Sequence, residues 1–166
     1  MIKKLIKEII IVLAIIIIFQ TLYSHLMPKE EQYIMNEVES KLENIEVYFN
    51  VEPQNTPDGK IKFNIETNLP NGMQLVLTLC NKSGYTAQSK VIIQNGEIIS
   101  SEFSEHGSKL ASGTHELKIS SSAVKFYSDD VKKIIGSSGE FMTGRYIKYD
   151  SLFECNLIEA VFEVIV

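Results

Sequence analysis

Three histidines, two cysteines and the adjacent acids Asp129 and Asp130 are the residues of this chain whose types invite chemistry. His25, His106 and His115 stand far apart. None sits in a His-Glu-x-x-His arrangement, and no Cys-x-x-Cys or tight run of His, Asp and Glu offers metal ligands at a workable spacing. No metal and no cofactor is therefore expected. A Ser/His/Asp assembly is built in space rather than in sequence, so spacing alone does not dismiss it. Yet a Gly-x-Ser-x-Gly elbow is missing, and the 9 glycines form neither a Walker loop nor a dinucleotide fingerprint. His115 alternates with strand residues and reads as a packed strand histidine, whereas His106, between Glu105 and Gly107, is the more exposed candidate. Asp129 and Asp130 follow Ser128 and are explained most simply as the first turn of a helix. No catalytic residue is expected, and an enzyme is the least supported class.

The cysteines are too few for a disulfide scaffold. Outside the cytoplasm Cys80 and Cys155 could pair. Against this, Cys80 ends a strand whose inward residues read Met73, Leu75, Leu77 and Leu79, which turns the thiol to the other face and favours two separate thiols.

The segment that must deliver all of this is N-terminal. From Ile9 to Met27 there is no Lys, Arg, Asp or Glu, behind a head carrying Lys3, Lys4 and Lys7. At ~1.5 Å per residue such a stretch can cross a hydrocarbon core of ~30 Å. A secretory signal is the rival. Its cut after Ser24 would place Leu22 at the third-last position, with Tyr23 and His25 crowding the site, a poor peptidase sequence, so an uncleaved anchor is favoured with membrane contact through residues 5–24. No Cys follows for lipidation, and a segment apolar on every face at the extreme N-terminus is a poor soluble core helix. The head lysines put the N-terminus in the cytoplasm and the rest outside.

Beyond residue 28, 138 residues remain, room for one domain. Setting aside the three head lysines and Glu8 leaves 13 basic and 20 acidic residues, a formal charge of −7. That balance argues against nucleic acid or an anionic lipid surface as the main partner.

Residues 29–44 form the next division. Ile34, Val38, Leu42 and Ile45 recur at helical spacing among glutamates, predicting an amphipathic helical spacer in preference to a partner-docking helix. From Ile45 the period becomes two, and 45–166 reads as a β-domain. Ile45, Val47, Phe49 and Val51 predict one strand, Pro53 to Gly59 a turn, and Ile61, Phe63 and Ile65 a second strand. Met73 to Cys80 is apolar enough for a central strand. Val91 and Ile93 share a face of a fourth, Asn95-Gly96 predicts a tight hairpin, and Glu97 to Phe103 returns as a fifth. Ser104 to Gly113 reads as a loop and Thr114 to Ser120 as a strand extended irregularly through Val124 and Phe126. Ser128 to Gly136 carries a complete set of helix start and stop signals. Gly139 to Tyr149 and Asn156 to Val166 complete the strands, the last placed inside a sheet because nothing after it could cover an apolar edge.

Seven or eight short strands with turns at intervals of about ten residues and one late helix predict an all-β sandwich. The segments Asn68-Leu69-Pro70-Asn71-Gly72, Tyr85-Thr86-Ala87-Gln88, Asn95-Gly96 and Leu110-Ala111-Ser112-Gly113-Thr114-His115-Glu116-Leu117 resemble small immunoglobulin-like or prealbumin-like domains of bacterial membrane-anchored envelope proteins. Those domains often carry Tyr where His115 stands. The resemblance covers Ile61 to Ile119 and implies an envelope sandwich, with no catalytic residue transferred.

The expected function is a membrane-tethered extracytoplasmic binding module whose partner is another envelope protein or a cell-wall component. Contact is expected at the loops Asn81 to Ala87 and Ser104 to Gly113, through Asn81, Tyr85, Glu105, His106 and Lys109. A structural subunit of pilin-like layout and a secreted domain freed by signal peptidase are the alternatives. Against the first, Pro28 interrupts the helix and the Gly of a pilin processing site is missing.

Overall fold

Alternating apolar and polar residues give a strand one face to bury, and two such sheets bury theirs against each other. The computed structural model describes residues 44–166, which make one compact unit. The expected anchor, and all of the expected spacer except Asn44, lie outside the described residues. The strands are β1 (Ile45–Glu46), β2 (Phe49–Asn55), β3 (Ile61–Thr67), β4 (Gln74–Asn81), β5 (Thr86–Ile92) and β6 (Glu97–Ile99). After them come β7 (Thr114–Ser121), β8 (Met142–Thr143), β9 (Ile147–Asp150) and β10 (Cys155–Ile165), with a 3-10 turn at Val124–Phe126 and α1 at Asp129–Ile135. One sheet runs β5-β4-β7-β10-β9, a second β2-β3-β6, and β1 pairs with β8.

Register decides which face is buried. Leu77 lies opposite Ile119, Leu79 opposite Leu117, and Ile119 opposite Ala160, so period-two alternation brings Leu75, Leu77, Leu79, Leu117, Ile119 and Ala160 to one face. All six are buried, in one core with Ile61, Phe63 and Ile65 from β3 and Ile98 from β6. Met73 is buried with them, as its place in the inward series predicts. Cys80 faces outward and Cys155 is buried, both as free thiols.

Several expectations are met closely. β4 lies between β5 and β7, and β10 between β7 and β9. Asn95 and Gly96 take φ of 54° and 77°, the left-handed pair of a tight hairpin turn. Ser128 caps α1, its hydroxyl accepting from the Val131 amide at 3.4 Å, and Gly136 ends it at φ 91°.

Other expectations are corrected. The described residues carry ten strands rather than seven or eight, because long segments break. The first predicted strand divides: Ile45 and Glu46 pair in parallel with Met142 and Thr143, and the chain begins again as β2. β2 then runs through Pro53 to Asn55, which the predicted turn would have excluded. Proline is tolerated there because β2 is an edge strand and one side needs no amide donor. β6 stops at Ile99. Four steps lead from Ile99 to Phe103 but only three from Asn64 to Ile61, their partners, so one extra residue forms a bulge. Ser104 to Gly113 is not a plain loop, since Glu105 and Ser108 exchange both main-chain hydrogen bonds (3.1 and 2.9 Å) around His106-Gly107. Val124 and Phe126 lie on the 3-10 turn, with Val124 buried and Phe126 exposed. Gly139 to Tyr149 divides into β8 and β9 around Gly144 at φ 102°.

The Tyr127 hydroxyl donates to Gln74 O at 2.7 Å and accepts from the Ser122 amide at 3.1 Å. Burial pushes its ionisation up. It ties the chain leaving β7 to the start of β4. Leu77 is fully enclosed, so Leu77→Ala is expected to cost about 2–5 kcal/mol in urea unfolding. Val161→Ala, on the exposed face of β10, is expected to stay within about 0.5 kcal/mol.

Candidate binding cleft

β4 ends at Asn81, β5 begins at Thr86, β7 begins at Thr114 and β10 ends at Ile165, so the intervening connections gather at one end of the sandwich. There Ser83, Gly84, Tyr85, Thr86 and Ala87 face Ser104, Glu105 and His106 across an open cleft of about 480 Å³. Main chain enters the domain at the other end. The Ile45 amide donates to Phe141 O at 2.7 Å, and the same segment holds the start of β10 through Asn156 N to Ser138 O at 2.8 Å.

Each wall is built locally. On the first, Asn81 Oδ1 accepts from Ser83 N (3.0 Å), Ser83 Oγ (2.7 Å) and Tyr85 N (3.0 Å), which is how Asn closes a turn with its own side chain. Gly84 at φ 99° completes it. On the second, His106 and Gly107 take φ of 52° and 81° at the tip of the Glu105–Ser108 hairpin. Histidine is among the few non-glycine residues that accept this region, so the imidazole is presented on a turn of fixed geometry.

His115 joins the walls. It is 2 % exposed, with its ring edge-on to Tyr85 at 6.0 Å. Since Asn81 Oδ1 is committed to three donors, Asn81 Nδ2 is the group facing His115 Nε2 at 3.3 Å. An amide nitrogen only donates, which makes Nε2 the acceptor and leaves Nδ1–H to donate to Gly113 O at 3.2 Å. The network assigns a neutral Nδ1–H imidazole. Gly113 also exchanges main-chain bonds with Val166, so the C-terminal residue is tied to the same end. Tyr85 spans the gap, its hydroxyl donating to Ser104 O at 3.3 Å. Burial and then the nearby Glu105 carboxylate push the Tyr85 phenol up, so it stays a neutral donor.

Of the residues singled out in the sequence, Tyr85, Glu105 and His106 meet in the cleft. Asn81 organises the first wall and faces His115. Lys109 is elsewhere: a Cβ on Gly59 would meet its Cγ at 2.6 Å, so its stem lies over the turn at residues 56–60. In that turn Lys60 and then Thr56 bond the Asp58 carboxylate and hold it down at about 2.

Sequence reasoning did not find a second cleft of about 490 Å³, lined by Glu46, Val47, Tyr48, Phe49, Arg145 and Tyr146. Arg145, the chain's one arginine, lies 4.6 Å over the Tyr146 ring, which packs on Phe49 and Phe162. A lone arginine was the available signal. Among the described residues no three His, Cys, Asp or Glu side chains gather as metal ligands, and no helix is long and apolar enough to cross a membrane. No family model, curated protein or solved structure matches the chain.

Three outcomes are expected. Long-range ¹H–¹⁵N spectra will show His115 as the Nδ1–H tautomer, and Asn81→Ala, which strips the Ser83 and Tyr85 amides of their acceptor, will cost about 1–3 kcal/mol in urea unfolding. A depressed carboxyl stabilises above its ordinary range and stops doing so as pH falls through its folded value. The Thr56–Lys60 turn is therefore expected to keep its amide shifts down to pH 4 and to change them as pH falls toward about 2, with Asp58→Asn abolishing that step.

Proposed function

We propose that this chain is a membrane-tethered, non-catalytic binding module of the bacterial envelope. In this reading the N-terminus is cytoplasmic, one segment spans the membrane, and an immunoglobulin-like sandwich outside captures another envelope protein or a cell-wall component. The observation that carries the reading is the pre-organised cleft of Tyr85, Glu105 and His106, at the end opposite the chain's entry at Asn44. A tethered module gains reach when its recognition surface points away from its tether. Exposed hydroxyls, one carboxylate, one imidazole and the edge of a tyrosine suit a polar partner bound by hydrogen bonds and stacking.

Strand order supports the immunoglobulin-like part. β2-β3-β6 against β5-β4-β7-β10 follows the A-B-E and C′-C-F-G sheets of such sandwiches, with β9 an addition carried between the last two strands. On that correspondence the cleft belongs to the C–C′ and E–F connections.

The test combines topology and contact. Protease added to intact cells is expected to digest the domain while a fragment containing residues 3–22 stays in the membrane; a mature protein beginning near His25 in the medium would replace the tether by a released domain. A photo-crosslinking residue at position 106 is expected to give discrete adducts in cells, and one at Ile99, exposed on β6, to give none. Equal patterns at the two positions would remove the cleft from the account.

A further inference from the structure

At the end where the chain enters, the turn between β9 and β10 carries two large apolar residues where turn chemistry is ordinarily polar. Leu152 is 81 % exposed and Phe153 42 %, and Phe126 on the neighbouring 3-10 turn is 69 % exposed. They belong to one surface, because Lys125 Nζ lies 5.2 Å from the Phe126 ring and 4.9 Å from the Phe153 ring. The tip is also built to hold its shape. Asp150 Oδ1 accepts from the Leu152 and Phe153 amides at 2.8 and 3.0 Å, and Glu154 at φ 52° turns the chain back into β10. A wedge of leucine and two phenylalanines around an ammonium is an unusual feature to leave in water.

The geometry points to a lipid bilayer as what covers it: Phe126, Leu152 and Phe153 enter the headgroup and upper acyl region of the membrane that holds the N-terminal segment, with Lys125 at phosphate level. This inference rests on the tether reading above. Three observations favour a bilayer. The tip shares its end of the sandwich with the entry at Asn44, through Ile45 to Phe141 and Ser138 to Asn156. The uncharged run ends at Met27, so only residues 28–43 intervene, about 24 Å at helical rise and about 55 Å extended. The composition, exposed leucine and phenylalanine beside a lysine that makes no ion pair among the described residues, is that of an interfacial contact. The overall acidic charge opposes electrostatic capture by anionic lipid, so apolar insertion near an existing anchor is the mode that fits.

The chain has no tryptophan, so one introduced indole is a unique reporter. Full-length Phe153→Trp, Leu152→Trp and Ile99→Trp are each reconstituted into phosphatidylcholine/phosphatidylglycerol vesicles, floated, and titrated with lipid brominated near the headgroup end of the acyl chain. All three are expected to float, with emission at 152 and 153 falling about twofold or more and that at 99 unchanged, since interfacial residues reach ~5–10 Å into the bilayer. Flotation without preferential quenching at 152 and 153 overturns the inference and leaves the tether standing. Failure to float removes the tether and the inference together. A blue shift at 153 that grows with protein density and ignores brominated lipid would assign the tip to a second copy of the chain, and also overturns it.

Discussion

The apolar face shared by β4, β7 and β10 is the constraint on which the rest of this domain depends. Side chains alternate along a strand, so a slip of one residue at β4–β7 would send Leu75, Leu77 and Leu79 to solvent together. Each is worth about 1.5–3 kcal/mol buried. Across the neighbouring β7–β10 ladder, on the outer face, Glu116 lies directly opposite Glu163. Such a like-charge pair costs less than about 1 kcal/mol at a surface, and Lys118 at 3.9 Å from Glu116 offsets part of it. The inner face sets the register and the outer face accommodates it. Because β10 pairs with β9 over Cys155–Ile158 and with β7 over Glu159–Ile165, one strand carries that register from the sandwich into the segment between β7 and β10.

His115 occupies the first inward position of that face on β7, opposite Asn81 on one side and Val164 on the other. A leucine there would serve the core as well. What an imidazole adds is two directed hydrogen bonds at the point where the core meets the connections. One bond reaches the turn after β4, the other reaches Gly113 beside the C-terminal residue, and the ring edge supports Tyr85. Burying a polar ring costs little once both nitrogens are engaged, and the turns gain a fixed position relative to the sheet. The cleft walls are therefore held by the core itself.

Much of this was legible in the sequence, for a physical reason. Strand alternation, the Asn95-Gly96 turn and the Ser128 cap are decided by residues within a few positions of each other, and each was placed correctly. The loops that meet in the cleft were legible as punctuation: Asn81, Gly84 and Gly107 mark turns, and turns at the same ends of neighbouring strands come together once the strands pair. What escaped is nonlocal. Nothing near Ile45 announces a parallel partner at Met142, and the bulge after Ile99 exists only relative to β3. Lys109 stands only three positions from His106 in the sequence. Its stem lies over Gly59, a direction that depends on where the 56–60 turn sits. The stack of Arg145, Tyr146, Phe49 and Phe162 draws on three segments that share no pattern.

The two ends of the sandwich are unequal, and the inequality bears on how such a domain would work. Connections at the cleft end close on themselves through hydrogen bonds, Asn81 with Ser83 and Tyr85 on one wall and Glu105 with Ser108 on the other. At the entry end a single long connection between β7 and β10 carries the 3-10 turn, α1, β8 and β9, and pins β1 beside it. Added structure at that end covers Val131, Ile135 and Met142, yet leaves Phe126, Leu152 and Phe153 bare. A module on a spacer alone samples every orientation, and most of them turn its cleft away from a partner. In the tethered reading proposed above, a second, weak contact near the membrane would act at high effective concentration, so even a marginal affinity would bias the orientation. With the tip seated on the bilayer, β10, whose 11 residues span about 36 Å, would carry the cleft outward from the membrane rather than along it.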